Sequence, residues 1–355
     1  MKEIFQPSCF PVLIGSLPMS DHEKAADMVF AHTPEIPLWV QLPMYHEEGM
    51  IVQFMHGLPG HTVKDKKTYI NTESGQFADE ILRFYEDYMA VSEGQADIDS
   101  SRFVLRPDHA KGFFVYLDKI NKLEKKPAAL KGQITGPISF ATSVKDQNGR
   151  SVFYDEQLRD TAIKILALKA KWQAKQLSQF NLPVIIFLDE PALAGFGSSE
   201  FISISKDEVR QSLEEVIEGV HSQGGLAGIH VCANTEWDLI METSLDIVNF
   251  DAYSYFDRFI LYPEVIKNFL NSGKIIAWGI VPTGSPEAID KESVDSLAAI
   301  WENQIKAVEA LGIERKMILN QSLITPSCGT GSLSLEHAVK VLELTRDLSA
   351  RIREK

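Results

Sequence analysis

The sequence predicts a single (β/α)8, or TIM, barrel occupying residues 1–355 as one domain, and three observations point there. Short apolar runs rich in Val, Ile and Leu alternate with helical patterns along nearly the whole chain. The runs are apolar on both faces, as strands of a parallel sheet covered by helices are. No Gly-x-Gly-x-x-Gly turn follows the first run, which sets aside an open doubly wound sheet.

In order, residues 11–17 read as the first strand, ending in Gly15-Ser16, and a helix capped by Ser20 or Asp21 follows to about residue 31. Residues 38–44 read as the second strand. A helical insertion between strands two and three opens with the loop Gly57-Leu58-Pro59-Gly60 and carries helices near 76–93 and 108–124. Strand three spans 129–138, a helix 156–180, strand four 183–190, a helix 206–222 and strand five 226–233. A short helix at 235–242 precedes strand six at 246–251, and a helix at 263–271 precedes strand seven at 274–281. A long helix over 290–311, strand eight at 316–321 and a last helix over 334–352 complete the alternation.

Bulk properties exclude several classes of function. The formal charge of −14 opposes any general affinity for nucleic acid or anionic membranes. No apolar run reaches the roughly 20 residues of a membrane helix, and Met1-Lys2-Glu3-Ile4-Phe5 opens no signal pattern, so the expected location is the cytoplasm. Three cysteines make no disulfide framework. Cys9 reads as a small buried apolar residue.

The polar residues that interrupt the apolar strands fall mostly at their C-terminal ends, the working face of such a barrel. Ser16 ends strand one, Asp189-Glu190 strand four, His230 and Cys232 strand five, and Asp251 strand six, while Cys328 follows strand eight. Alternation puts His230 and Cys232 on one face of their strand. With Asp251 and Cys328 they make a two-thiolate, one-imidazole, one-carboxylate set of the kind zinc accepts. A satisfied core histidine beside two unrelated cysteines is the alternative. Zinc so ligated is electron-rich and a weak source of hydroxide. It suits instead the binding of a small-molecule thiol, whose pKa need only fall from about 8.5 to below ambient pH.

These residues resemble a known family. His230-Val231-Cys232, the run from Asp246 to Asp251, and Pro326-Ser327-Cys328-Gly329 are similar to the zinc site of cobalamin-independent methionine synthase, within the uroporphyrinogen decarboxylase-like barrels and zinc methyltransferases. Ile14-Gly15-Ser16, Ile134-Thr135-Gly136-Pro137 and Asp189-Glu190-Pro191-Ala192-Leu193 match as well. The resemblance runs from about residue 11 to the C-terminus and covers the catalytic barrel alone. It implies zinc at His230, Cys232, Asp251 and Cys328, although the family usually has glutamate where Asp251 stands. It implies that Ile14 and Ser16 hold the carboxylate of homocysteine and that Asp189 receives its ammonium group, with Glu190 beside it at the substrate.

The departures fall on the other substrate. Gly195, Ser143 and a position near Gly284 stand where the resemblance implies a folate-contacting glutamate, a stacking tryptophan and a proton-donating histidine. Met44 stands where a second glutamate would pair the ammonium. The expectation is therefore methyl transfer to a thiol, homocysteine first, from methylcobalamin or a methyl-corrinoid protein, in place of methyl-folate. Rival readings are a porphyrinogen-type decarboxylase, a methyltransferase acting on a mercapto-sulfonate, and a non-enzymatic barrel with structural zinc that binds a thiol or a corrinoid protein. The first rival needs arginines near the N-terminal loops, where the first 100 residues hold only Arg83.

Overall fold

The computed structural model describes residues 5–196 and 204–354; Met1–Ile4, where no signal pattern is read, lie outside them. A short strand β1 (Phe10–Pro11) leads to helix α1 (His22–His32), whose first turn is capped by the Asp21 carboxylate. Helix α2 (Val52–Met55), the antiparallel hairpin β2 (His61–Lys64) and β3 (Lys67–Ile70), and helices α3 (Phe77–Ser92) and α4 (Lys111–Asn121) follow. Then come β4 (Leu130–Thr135), α5 (Pro137–Ser143), α6 (Glu156–Ser178), β5 (Val184–Asp189), α7 (Lys206–His221), β6 (Leu226–Val231), α8 (Trp237–Met241) and β7 (Ile247–Phe250). Helices α9 (Ala252–Phe259) and α10 (Pro263–Asn271), β8 (Ile275–Val281), helices α11 (Pro286–Lys291), α12 (Val294–Glu309) and α13 (Arg315–Asn320), β9 (Ser322–Pro326) and α14 (Leu335–Arg353) complete the described chain.

Seven strands form one parallel sheet in the order β1-β9-β8-β7-β6-β5-β4. Strands β4, β7, β8 and β9 are buried along their whole length, as strands covered on both faces must be. Both edges of the sheet reach the same segment. Leu38 bridges Lys131 on the β4 side, and Gln41 bridges Ser16 just beyond β1. The expected second strand is thus present as two isolated parallel bridges, not as a regular ladder. No helix among the described residues is long and apolar enough to cross a membrane.

Several elements differ from the sequence reading. Residues 316–321, expected as strand eight, form α13, and the strand is the next run, β9. Lys-Met-Ile-Leu-Asn is a short apolar run whose periodicity does not separate helix from strand. In α13 only Ile318 is buried, a one-sided pattern, whereas every residue of β9 is buried. The helix expected over 290–311 is broken into α11 and α12, with Ser293 forming a capping box onto Ser296. The hairpin β2–β3 and the short helices α5 and α9 are additional to the expected elements, and α5 begins inside the run expected as strand three.

A candidate metal centre at the strand ends

His230 is the penultimate residue of β6 and 3% exposed. Its Nδ1 lies in a short hydrogen bond with Asn249 Oδ1, and the orientation of that amide is fixed by its other end. Asn249 Nδ2 donates to the Ala277 carbonyl at 2.9 Å and to Thr325 Oγ1 at 2.8 Å. A carbonyl accepts only, so the amide nitrogen must face Ala277 and the amide oxygen must face the imidazole. The imidazole proton therefore sits on Nδ1, and Nε2 carries a free lone pair. Burial holds the ring neutral, with its pKa pushed down to about 4. Nε2 is itself buried and, among the described residues, has no hydrogen-bond partner. A neutral imidazole with its far nitrogen pinned and its near nitrogen unpartnered is what a metal ligand requires.

Cys232, one residue past the end of β6, and Cys328, in the loop after β9, bring their sulfur atoms to that nitrogen. The three potential ligand atoms all lie within 4.8 Å of one another. The thiols share a hydrogen bond, which lowers the pKa of Cys232 to about 7 and drives that of Cys328 up. One proton between two sulfurs is the state from which a cation displaces the second proton. By its donors the set can hold a metal ion, with three protein ligands and room for a fourth.

Asp251 is not drawn into this group. It is the N-cap of α9, where its Oδ1 accepts from Ser254 N at 2.8 Å, and burial pushes its carboxyl up. Glu190 requires a correction. It is fully buried and faces the start of α5, accepting from Ile138 N at 2.8 Å, Ser139 N at 2.8 Å and Ser139 Oγ at 2.6 Å. A carboxylate at a helix N-terminus is stabilised by those donors and is not free for substrate. A Cβ on Gly136 would lie 2.1 Å from Glu190 Cγ, so this docking needs glycine there.

A cavity of about 330 Å³ opens beside the thiols, lined among others by Ile14, Ser16, Asp189, His230, Cys232 and Cys328. Ser16 is tied to the Cys328 loop, its carbonyl accepting from Thr330 N at 3.1 Å and its Oγ from Gly331 N at 3.2 Å. Gly329 packs so closely that a Cβ there would lie 2.3 Å from Ser16 Oγ. Asp189 Oδ1 is buried and has no hydrogen-bond partner among the described residues. Its counter-charge is Lys131, wholly buried and donating to the Ile14 carbonyl at 2.6 Å. Burial pushes the Asp189 carboxyl up and the Lys131 ammonium down, while their attraction opposes both.

Sequence reasoning missed Asn249, Lys131, Gln41 and Glu48. Met44, where a second carboxylate was sought, is 68% exposed, whereas Glu48 lines the cavity from the following turn. Its carboxylate accepts from Leu42 N at 2.9 Å and pairs with His22 Nε2 at 2.6 Å. Asn249 was legible in principle, as a polar residue on the same face of its strand as Asp251. A larger groove, about 780 Å³, lies on the outer side of α6 and α7, but no thiol or imidazole lines it.

A buried imidazole and two thiols at the C-terminal ends of parallel strands, beside a cavity with an unpaired carboxylate, define an α/β enzyme built to handle a soft ligand. No family model matches the chain. Over 286 residues it is 24% identical to a methionine synthase of Methanocaldococcus jannaschii, covering 79% of this chain and 84% of that one. A methyltransferase from Methanosarcina mazei shares the fold, with a TM-score of 0.53 at 15% identity over 92% of this chain and 84% of its own. A B12-independent methionine synthase from a Shewanella species, solved with selenomethionine, matches at 18% identity and a TM-score of 0.47 over 67% of each chain. These comparisons support a methionine synthase-like family and a methyltransferase activity.

Proposed function

We propose that this methyltransferase S-methylates homocysteine to methionine, with zinc on His230, Cys232 and Cys328 and a methylated corrinoid, free or protein-bound, as donor. The observation that carries the reading is the convergence of these three side chains, with His230 Nε2 unpartnered, beside a cavity that also holds Asp189. Zinc there would lower the pKa of an incoming thiol and keep it a reactive thiolate. The chain's own residues do the rest. The turn at Ile14–Ser16 offers a hydroxyl to the amino-acid carboxylate, and Asp189 offers its open oxygen to the ammonium. The open oxygen of Asp189 supports an amino-acid acceptor over a mercapto-sulfonate, which carries no ammonium group for it to receive. Asp251, which follows β7 and caps α9, is proposed as an exchangeable fourth ligand.

The donor side supports a corrinoid. Gly195, Ser143 and Gly284 offer no carboxylate, ring or acid for a folate, and a corrinoid leaves without needing a proton. The two bridges of segment 38–41 support a closed (β/α)8 barrel as the single domain, with residues 42–129 inserted between strands two and three. The test is metal content followed by product analysis. One zinc per chain is expected, lost in Cys232→Ala and Cys328→Ala, and methionine is expected from methylcobalamin plus homocysteine. A reconstituted protein without zinc, or turnover with methyl-folate alone, overturns the respective half of the reading.

A further inference from the structure

The segment His56-Gly57-Leu58-Pro59-Gly60-His61 takes no part in the thiol chemistry, yet it is built with care. Gly57 and Gly60 have φ of +96° and +68°, left-handed conformations that glycine adopts without strain. The resulting reversal sets the two terminal imidazoles edge to face, with centroids 6.3 Å apart. His109 lies against His56 at 5.6 Å. Arg106 brings Nη1 to 3.3 Å from His56 Nε2. Beneath them Lys169 of α6 is 1% exposed, and among the described residues its ammonium donates to the Val104 carbonyl at 3.2 Å.

Five basic side chains therefore meet in a chain of formal charge −14. Among the described residues two carboxylates reach this region: Asp108, 3.2 Å from Arg106 Nε and 3.0 Å from His109 Nδ1, and Glu80, which accepts from Gly60 N at 2.7 Å beside His61. Burial, then Lys169, Arg106 and the other imidazoles, hold His56 down to about 4; burial, His109 and Lys169 lower His61. Lys169 is held down to about 7 by burial and by Arg106. A buried ammonium without a carboxylate is costly, and an external anion would offset that cost.

We propose that this cluster is a phosphate-binding site, with His56, His61, His109 and Arg106 as donors and Lys169 contributing its field from below. Arg106 is exposed and the three histidines half-buried, so the site is open to solvent. It also backs onto the substrate cavity. Gln41 of the cavity wall donates to Gln53 at 2.6 Å, and Gln53 donates to the His109 carbonyl at 2.7 Å. Helix α2 joins Met50, on the cavity wall, to His56. Two sources share the chemistry: free inorganic phosphate, and the phosphodiester of a corrinoid entering the cavity.

Inorganic phosphate is titrated into the full chain by calorimetry and imidazole NMR at about pH 6.5 and about pH 8, on either side of the value of about 7 to which Lys169 is held down. One saturable site is expected, tighter at the lower pH by about threefold or more, because binding raises the imidazole pKa values and takes up protons. Of the nine histidines, only His56, His61 and His109 should shift. The surface double variant His61→Asn, Arg106→Gln, with unchanged circular dichroism and Tm, should lose about tenfold in affinity. Competition by methylcobalamin assigns the phosphate to the donor; saturable binding without competition assigns it to free phosphate. Absence of saturation, shifts at other histidines, or full affinity in the double variant overturns the proposal. None of these readouts depends on zinc or on methyl transfer.

Discussion

Replacing Asn249 by leucine keeps the volume of the side chain and deletes three hydrogen bonds at once. The His230 Nδ1–H, the Ala277 carbonyl and the Thr325 hydroxyl lose their shared partner in a place without solvent. Each buried polar group left unpaired costs about 1–3 kcal/mol, so Asn249→Leu should lower the unfolding free energy by about 3 kcal/mol or more. The larger consequence is for His230, whose tautomer is fixed from this side alone. Outer-shell partners of a ligating histidine are worth about 10–100-fold in metal affinity, or about 1.4–2.8 kcal/mol. Asn249→Asp separates the two effects. An aspartate oxygen still accepts from Nδ1–H, so zinc affinity should stay within about threefold of the parent, while the lost donation to Ala277 still destabilises the fold. Urea unfolding and chelator competition at fixed pH measure the two quantities. The reasoning is refuted if the leucine variant binds zinc as tightly as the parent, or if the aspartate variant loses as much affinity as the leucine one.

Glu190→Gln should act on stability and not on substrate: an amide nitrogen would face Ile138 N or Ser139 N, costing about 2–3 kcal/mol in urea unfolding with KM for homocysteine unchanged. Asp189→Asn should do the opposite, raising KM for homocysteine by about 10–100-fold in steady-state assays while zinc content stays at the parent level. His221 should give stability a pH dependence. Its hydrogen bond to Asp246 at 2.7 Å raises its folded pKa, so the pair's contribution is full below the unfolded value and is lost as pH rises through the folded one. The difference in Tm between the parent and His221→Gln should therefore be larger at about pH 5.5 than at about pH 8.5.

The parts of the fold that were legible are those where composition and period agree. The fully apolar runs at 184–188 and 275–281 could be little else than parallel strands, and α6, α7 and α14 carry side-chain caps at Asp155, Ser205 and Ser334. Illegibility followed from tertiary context. Residues 316–321 and 322–326 are both short and apolar, and only the sheet decides that the second pairs with β8. Glu190 follows Asp189 directly, but one residue past the strand end the chain turns, and the carboxylate swings onto α5. No periodicity reports that turn. Glu48 was missed for the same reason: a carboxylate sought at the end of an extended segment is delivered from the turn after it.

The registry of the sheet explains why the centre could be half-read from strand ends. Thr135, Asp189, His230, Asn249, Ala277 and Leu323 are successive Cα partners across β4, β5, β6, β7, β8 and β9. In a parallel ladder such partners present their side chains to the same face, so one row supplies the cavity carboxylate, the imidazole and the amide that orients it. The chemistry is thus written across strands more than along them. His230-Val231-Cys232 announces a ligand pair within a single segment, while the residue that decides which imidazole nitrogen is free lies one strand away, at the same height. Polar residues at equal depth in consecutive apolar strands are the signal to seek, and Asn249 meets it: wholly buried, polar, and level with both His230 and Asp189.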